Sequence, residues 1–231
     1  MIAETTVVPS IITLSGPAER IRMRSFVDEK PVFFACKRLS DIIISALFIV
    51  FVLSWLFPII ALLIWLDSNG PVMFLQERVG RGGKTFICFK FRTMVPGPGG
   101  LRITALGNFL RKSNIDEFPQ FLNVLLGSMS IVGPRPHTHA DCRRFSAVVD
   151  RYKFRSFVRP GITGLAQIKG YHGPAIREES ITGRYEWDAF YVRNASFWLD
   201  ISIIRHTAVQ SLANLAKLFY SPREVPRPSS N

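Results

Sequence analysis

Acids are the scarcer charge in this 231-residue chain, with 17 Asp and Glu against 29 Lys and Arg and a formal net charge of +12. That surplus excludes an acidic, self-solvating protein and implies an anionic partner: nucleic acid, anionic lipid or a phosphate-bearing substrate. Cysteine is scarce too. Cys36, Cys88 and Cys142 show no CxxC spacing, and an odd count excludes a closed disulfide framework. A reducing, cytosolic setting fits them best. Histidines number 4. His137 and His139 share the stretch HTH but lack a second cluster, so with His172 and His206 they read as loop residues rather than metal ligands. No internal repeat is evident. The opening residues lack a short basic segment followed directly by an apolar run, so no secretory signal is expected.

What the chain does have is apolar surface. At 48% apolar residues and a mean hydropathy of +0.19, it is too hydrophobic for an ordinary basic nucleic-acid binder, and a membrane becomes the expected anionic partner. Between Asp41 and Asp67 runs IIISALFIVFVLSWLFPIIALLIWL, without a charge. About twenty such residues suffice to cross a bilayer as helix. A simple spanning anchor is the plain alternative, but two features favour a re-entrant hairpin with both ends in the cytosol. Both flanks are basic: Arg20, Arg22, Arg24, Lys30, Lys37 and Arg38 precede the run, and Arg78, Arg81, Lys84, Lys90 and Arg92 follow it. A straight crossing would translocate one of them, against the tendency of Lys and Arg to stay on the cytoplasmic side. Pro58 also removes a backbone donor inside the run, and Ser54 one turn earlier can bond the freed carbonyls.

The expected division is a flexible leader over 1–36, a re-entrant membrane helix over 37–68, a cytosolic catalytic domain over 69–220 and a disordered Pro-rich tail over 221–231. Within the domain, VMFLQERV, GRGG and KTFICFKFRTM read as two strands joined by a Gly-rich turn. Strand alternation puts Phe86, Cys88, Lys90 and Arg92 on one face. Lys90 and Arg92 are then either a solvated edge or a phosphate clamp. PGPGG at 96–100 reads as a flexible loop, followed by a helix around Leu106 to Arg111.

The tightest pair of acids falls in SNIDEFPQ. Pro119 suits only the first turn of a helix, so a helix beginning near Asp116 and ending at Gly127 is expected, with Ser113 as a rival cap. Asp116 and Glu117 would then lie where free N–H groups favour anions; ordinary capping explains them as well as catalysis does. Arg135 stands between Pro134 and Pro136, and a guanidinium on so stiff a backbone is pre-organised for phosphate. RPGITGLAQIKG has the Gly and Pro density of a connection that brings backbone N–H groups close to a ligand. FWLDISIIRHTAVQSLANLAKLFY reads as a helix, either of the core or lying in the membrane interface with Trp198 and Tyr220 at headgroup level, and the hairpin favours the interface.

Taken together, KR with Asp41 before the apolar run, DSNGPVMFLQERVG, KFRTM, SNIDEFPQ, MSIVGPRP and RPGITGLAQIKG resemble, in order, the motifs of the bacterial sugar transferases known as monotopic phosphoglycosyl transferases. The resemblance covers most of the chain from Lys37 to about Ser211. It implies an α+β, mostly helical monotopic protein with a re-entrant helix, a small β-hairpin and interfacial amphipathic helices, on the cytosolic face of the bacterial inner membrane.

The implied reaction moves a sugar 1-phosphate, of glucose or galactose type, from a UDP-sugar to undecaprenyl phosphate with release of UMP. The implied cofactor is Mg2+, held at Asp116 and Glu117. Asp116 matches the nucleophile of the family's dyad and Glu117 its partner. Arg135 matches a nucleotide-phosphate contact, and Lys90, Arg92 and Arg159 are further phosphate-binding candidates. Membrane lipid is an implied partner, nucleic acid is not, and a homodimer is compatible. Three departures stand out: Ser54 is followed by Trp55 rather than proline, DSNGP replaces DSPGP, and the loop between KFRTM and the dyad is short. The rival reading is a non-catalytic membrane-anchored module that binds anionic lipid or nucleic acid.

Overall fold

The computed structural model describes residues 27–173 and 177–220, with side chains to residue 217. Most of the expected leader, the tail, Arg20, Arg22, Arg24 and the Tyr220 side chain lie outside the described residues. Helix α1 (Pro31–Phe48) begins with Pro31 in its first turn, six residues before the expected boundary at 37. Proline is pre-set for that position, and nothing in VFFACKRLSD breaks the helix after it.

The helix runs on through a π turn (Ile49–Leu53) into α2 (Ser54–Asp67), making 37 helical residues long and apolar enough to cross a bilayer. The expected break at Pro58 is corrected. Pro58 lies inside α2, and the irregularity sits in the π turn upstream. A proline ring displaces the carbonyl four residues earlier, and one extra residue in the preceding turn absorbs the displacement. Ser54 Oγ donates to the Val50 carbonyl at 2.5 Å and Trp55 Nε1 to that of Phe51 at 2.7 Å, so the side chains serve the π turn.

Both ends of this long helix are tied to one body. Near its start, Arg38 donates to the carbonyls of Val124 and Leu125. Lys37 pairs with Asp200 at 2.6 Å, and Asp41 accepts from Ser130 Oγ and the Ile131 N–H. At its end, Arg92 donates to the carbonyls of Ile64, Ser68 and Asn69. Between these ties, Phe48 stacks on Phe121, and Leu53, Ile60 and Ile64 pack with Phe91 and Leu110. The other side, including Ile43, Leu47, Phe51, Trp55, Leu62 and Leu66, is exposed.

Among the described residues the body holds three two-stranded sheets. Strands β1 (Met73–Val79) and β2 (Thr85–Phe91) form the expected antiparallel hairpin, pairing Met73 with Phe91 and Val79 with Thr85. The expected flexible loop at 96–100 is instead the tip of a second hairpin, β3 (Met94–Gly97) with β4 (Gly100–Ile103). Pro98 and Gly99 make its turn, and the φ of 81° at Gly99 supplies the left-handed position that such a turn requires. Helix α3 (Ala105–Lys112) follows, capped by Thr104. Then come a 3-10 turn (Ile115–Glu117) and α4 (Gln120–Leu125).

Strands β5 (Ser130–Val132) and β6 (Gly161–Thr163) pair in parallel. Between them lie α5 (His139–Val148), capped by Thr138 and Asp141, and a 3-10 segment (Tyr152–Phe157). Helices α6 (Leu165–Ile168), α7 (Glu178–Asn194) and α8 (Phe197–Tyr220) complete the fold. The main core gathers Val124, Met129, Val132, Phe154, Val192 and Ile203. On α8, Trp198 is 82% exposed.

Candidate active site

Helix α4 docks on β2 through one amide. Asn123 Oδ1 accepts from Phe89 N at 2.9 Å and its Nδ2 donates to the Ile87 carbonyl at 2.7 Å, as a neighbouring strand would. That contact brings the turn before α4 against Lys90. The turn is not the expected helix start. Asn114 sits in the left-handed region with φ 60°, Asp116 and Glu117 lie in the 3-10 turn, and Pro119 precedes α4. Neither acid makes a capping hydrogen bond, so ordinary capping does not account for them. Ser113, the rival cap, closes α3, its hydroxyl donating to the carbonyls of Phe109 and Leu110. Gly127, with φ 90°, ends α4 as expected.

The two acids have opposite surroundings. Glu117 Oε1 accepts from Lys90 Nζ at 2.7 Å and from Arg135 Nη2 at 2.6 Å, and Oε2 accepts from Arg135 Nη1 at 3.2 Å. Burial pushes its carboxyl up, but the charges and hydrogen bonds of Arg135 and Lys90 outweigh that and hold it well below the usual carboxylate range. Asp116 is 8% exposed, and its carboxylate accepts no hydrogen bond among the described residues. Burial first, then the Glu117 charge, raise its pKa to about 6 against the opposing pull of Lys90, Arg111 and Arg135. Asp116 is therefore mostly ionised at neutral pH, with no hydrogen bond to its carboxylate among the described residues, a state suited to a nucleophile.

Arg135 is set by its backbone. Pro134 O accepts from Gly161 N at 3.0 Å and His137 O from Val79 N at 2.9 Å. Arg135 O accepts from Arg155 Nη2 at 2.5 Å, and Pro136 O from Arg78 Nη1 at 3.1 Å. Four successive carbonyls are thus fixed from four directions. Arg155 is held in turn by Asp188, with Nη2 to Oδ2 at 2.8 Å, and its Nη1 lies 3.1 Å from His137 Nδ1.

His137 is 3% exposed, and Tyr152 OH also bonds its Nδ1. Burial, then Arg155 and Arg184, push its pKa well below the usual histidine range, so it is a neutral acceptor inside the scaffold. It lies outside the named helices and strands, as expected of a loop residue. His139 opens α5 and bonds Thr85 Oγ1, and His206 bonds the Ser202 carbonyl within α8; neither is a loop residue.

Of the expected phosphate contacts, the structure joins Lys90 and Arg135 to the dyad and leaves two elsewhere. Arg92 closes the carboxyl end of α2, and Arg159 Nε donates to the Gly127 carbonyl at 2.9 Å. Two of the three glycines of RPGITGLAQIKG are also reassigned. A Cβ at Gly161 or Gly164 would strike the Gly133 backbone, so they let β6 approach β5 rather than a ligand. Arg155, Arg184 and Asp188 were not anticipated. The signal was there: Arg184 and Asp188 fall in helical register with Ile181, Tyr191 and Val192 on the buried face of α7.

The donor set suits Mg2+, which is bound through few carboxylates plus substrate phosphates and water. Asp116 has both oxygens free, and Glu117 Oε2 receives one donor and keeps a lone pair. Among the described residues no group of three or more His, Cys, Asp or Glu forms a fuller cage.

A buried acid pair bracketed by cations thus sits on a body that carries one helix long and apolar enough to cross a bilayer. Residues 32–214 match the bacterial sugar transferase family, and the chain belongs to it. It is 40% identical over 188 residues to the UDP-glucose:undecaprenyl-phosphate glucose-1-phosphate transferase of Klebsiella pneumoniae, covering 77% of this chain and 40% of that one. To the Escherichia coli protein of the same name it is 36% identical over 237 residues, 93% of this chain and 51% of that one. It therefore spans about half the length of these relatives or less. The exopolysaccharide production protein PSS of Rhizobium leguminosarum is closer in size, with 43% identity over 190 residues, 76% of this chain and 94% of that one.

Proposed function

We propose that the chain transfers a sugar 1-phosphate, of glucose or galactose type, from a UDP-sugar to undecaprenyl phosphate at the cytosolic face of the bacterial inner membrane. This would be the first step of exopolysaccharide or lipid-linked glycan synthesis. An Asp116 without hydrogen-bond partners among the described residues, beside a Glu117 ion-paired to Lys90 and Arg135, carries the reading. An Asp116 oxygen attacks the phosphorus that bears the sugar, the bond from that phosphorus to the bridging oxygen breaks, and UMP leaves. An oxygen of the lipid phosphate then attacks the same phosphorus, breaking its bond to Asp116 and restoring the carboxylate. Neither step needs a proton from the protein.

The obstacle is like charge. A carboxylate about 4 Å from one phosphate charge costs roughly 4 kcal/mol at an effective dielectric near 20. Lys90 and Arg135, held in place by Glu117, oppose that repulsion where it develops. Mg2+ bound at Asp116 and Glu117 Oε2 would supply further charge neutralisation. A re-entrant course for α1 and α2 is supported by the ties of both ends to one body, because a helix with its ends on opposite sides of a bilayer could not make them. It also keeps the dyad near the plane of the acceptor phosphate.

Incubation with UDP-glucose or UDP-galactose and Mg2+, without lipid, should leave a hexose-phosphate adduct on the peptide containing Asp116, read by mass spectrometry. Stoichiometric UMP without that adduct would mean direct transfer, and the covalent scheme would fall.

A further inference from the structure

The cations near the dyad face an acid, but a second group does not. Arg38 on α1, Arg81 in the β1–β2 turn and Arg159 before β6 line one narrow cleft beside Lys37 and Asp41. Lys37 is engaged by Asp200 at 2.6 Å. Arg38 gives its two terminal nitrogens to the carbonyls of Val124 and Leu125. Arg81 and Arg159 give only Nε, at 3.2 Å to the Phe157 carbonyl and 2.9 Å to that of Gly127. Their four terminal nitrogens therefore have no partner among the described residues.

Asp41 is the one carboxylate lining the cleft, and its two oxygens already accept from Ile131 N at 3.1 Å and Ser130 Oγ at 2.7 Å. Burial first, then the charges of Arg38 and Arg81, push the Arg159 pKa down against the opposing pull of Asp41. Three guanidiniums turned together on neutral carbonyls keep an unmet preference for an anion that binds several N–H groups at once.

Their neighbours say where that anion comes from. Val32 and Leu39 on α1 are 74% and 60% exposed, and Leu126, just before the Gly127 that anchors Arg159, is 73% exposed. Cations at the rim of an exposed apolar belt sit where lipid headgroups lie.

We propose that Arg38, Arg81 and Arg159 seat the phosphate group of an anionic membrane lipid, at a site separate from the dyad. The inference rests on the reading that α1 lies in a membrane, but not on sugar transfer.

The test is a lipid count by native mass spectrometry on the full chain in phosphatidylcholine nanodiscs doped with phosphatidylglycerol or, in a second arm, polyprenyl phosphate. The unaltered chain should retain one anionic lipid of either kind, and the retained mass tells which is preferred. Arg81→Gln with Arg159→Gln should lower retention about thirtyfold, since each cation beside an anionic surface contributes about a factor of five. Removing two exposed cations elsewhere, Arg102→Gln with Lys153→Gln, should leave it intact. Arg81→Gln alone, at an exposed position, should still cost about fivefold if the double variant folds poorly.

Equal losses in the two double variants would reduce the site to general charge and overturn it. Displacement of the lipid by millimolar inorganic phosphate would assign the seat to a soluble anion and overturn the lipid. Because no donor or turnover is needed, Asp116→Asn should keep the lipid, so this inference and the proposed reaction can fail separately.

Discussion

The surroundings of Glu117 and the foot of α1 use the same side chains to opposite ends. Around Glu117, Lys90 and Arg135 close on one carboxylate, and behind them Arg155 closes on Asp188. At the foot of α1, Arg38, Arg81 and Arg159 line a cleft whose one carboxylate, Asp41, is ion-paired to none of them and is already engaged by Ser130 and Ile131. Paired charge fixes a geometry; unpaired charge waits for a ligand. Asp116 belongs with the second kind although it sits beside the first, and that contrast makes the dyad asymmetric.

The largest effect tests the asymmetry directly. Asp116→Asn should lower UMP release by about 10^4 or more, as removing a nucleophile does, while making the fold more stable. Ionising a buried carboxyl whose pKa rises from 3.8 to about 6 costs the native state on the order of 3 kcal/mol. The raised value means that the cost appears as pH rises through about 4 to 6 and is fully present at pH 7. Urea melts at pH 7 should show the gain, and it should shrink as pH falls toward 4. An Asn variant no more stable than the original would show that Asp116 is not strained.

Next in size is Asp188→Asn. It leaves Arg155 buried beside a neutral amide, a change that costs about 3 to 5 kcal/mol where one partner of a buried pair is lost. Because Arg155 also holds the Arg135 carbonyl, kcat/KM should fall even where the variant is fully folded, and Arg155→Lys should fall alongside it. Full activity in the folded variant would break the link from Asp188 to Arg135.

A smaller effect comes from pH alone. With Asp116 at about 6 and Glu117 far below it, UMP release should be flat above pH 7 and drop about tenfold per pH unit below 6, with one proton taken up. A slope of two would mean that Glu117 titrates as well, and the contrast between the acids would be lost.

How much of this could be read from the sequence depends on whether the cause was local. The β1–β2 hairpin and the end of α4 at Gly127 were legible, because glycine and alternation act on their own neighbours; Arg135 was singled out by its two prolines, but for a phosphate rather than for Glu117. Asp116 and Glu117 were singled out by their isolation in a basic chain and by family motifs, yet the 3-10 turn under them was not foreseen. It depends on Asn114 in the left-handed region and on Asn123 docking α4 to β2, a tertiary contact. Arg92 and Arg159 were expected at phosphates because type and motif do not reveal direction. Each is aimed by a carbonyl 20 or more positions away in the chain. The buried Arg155–Asp188 pair was missed because its halves lie 33 residues apart.

The smallest prediction falls at the foot of α1, where the fold leaves little room. Gly127 has φ 90°, and a Cβ there would stand 3.3 Å from Arg38 Nη2. Gly127→Ala should cost about 1 to 2 kcal/mol, from left-handed backbone that alanine adopts with difficulty and from pressure on a guanidinium whose partners are the α4 carbonyls. Thermal melts should show a drop of a few degrees. The dyad gains no new neighbour, so the fall in UMP release below pH 6 should keep its midpoint. A shifted midpoint would mean that Arg38 and Asp116 are coupled through α4, and that the two groups of cations are one system.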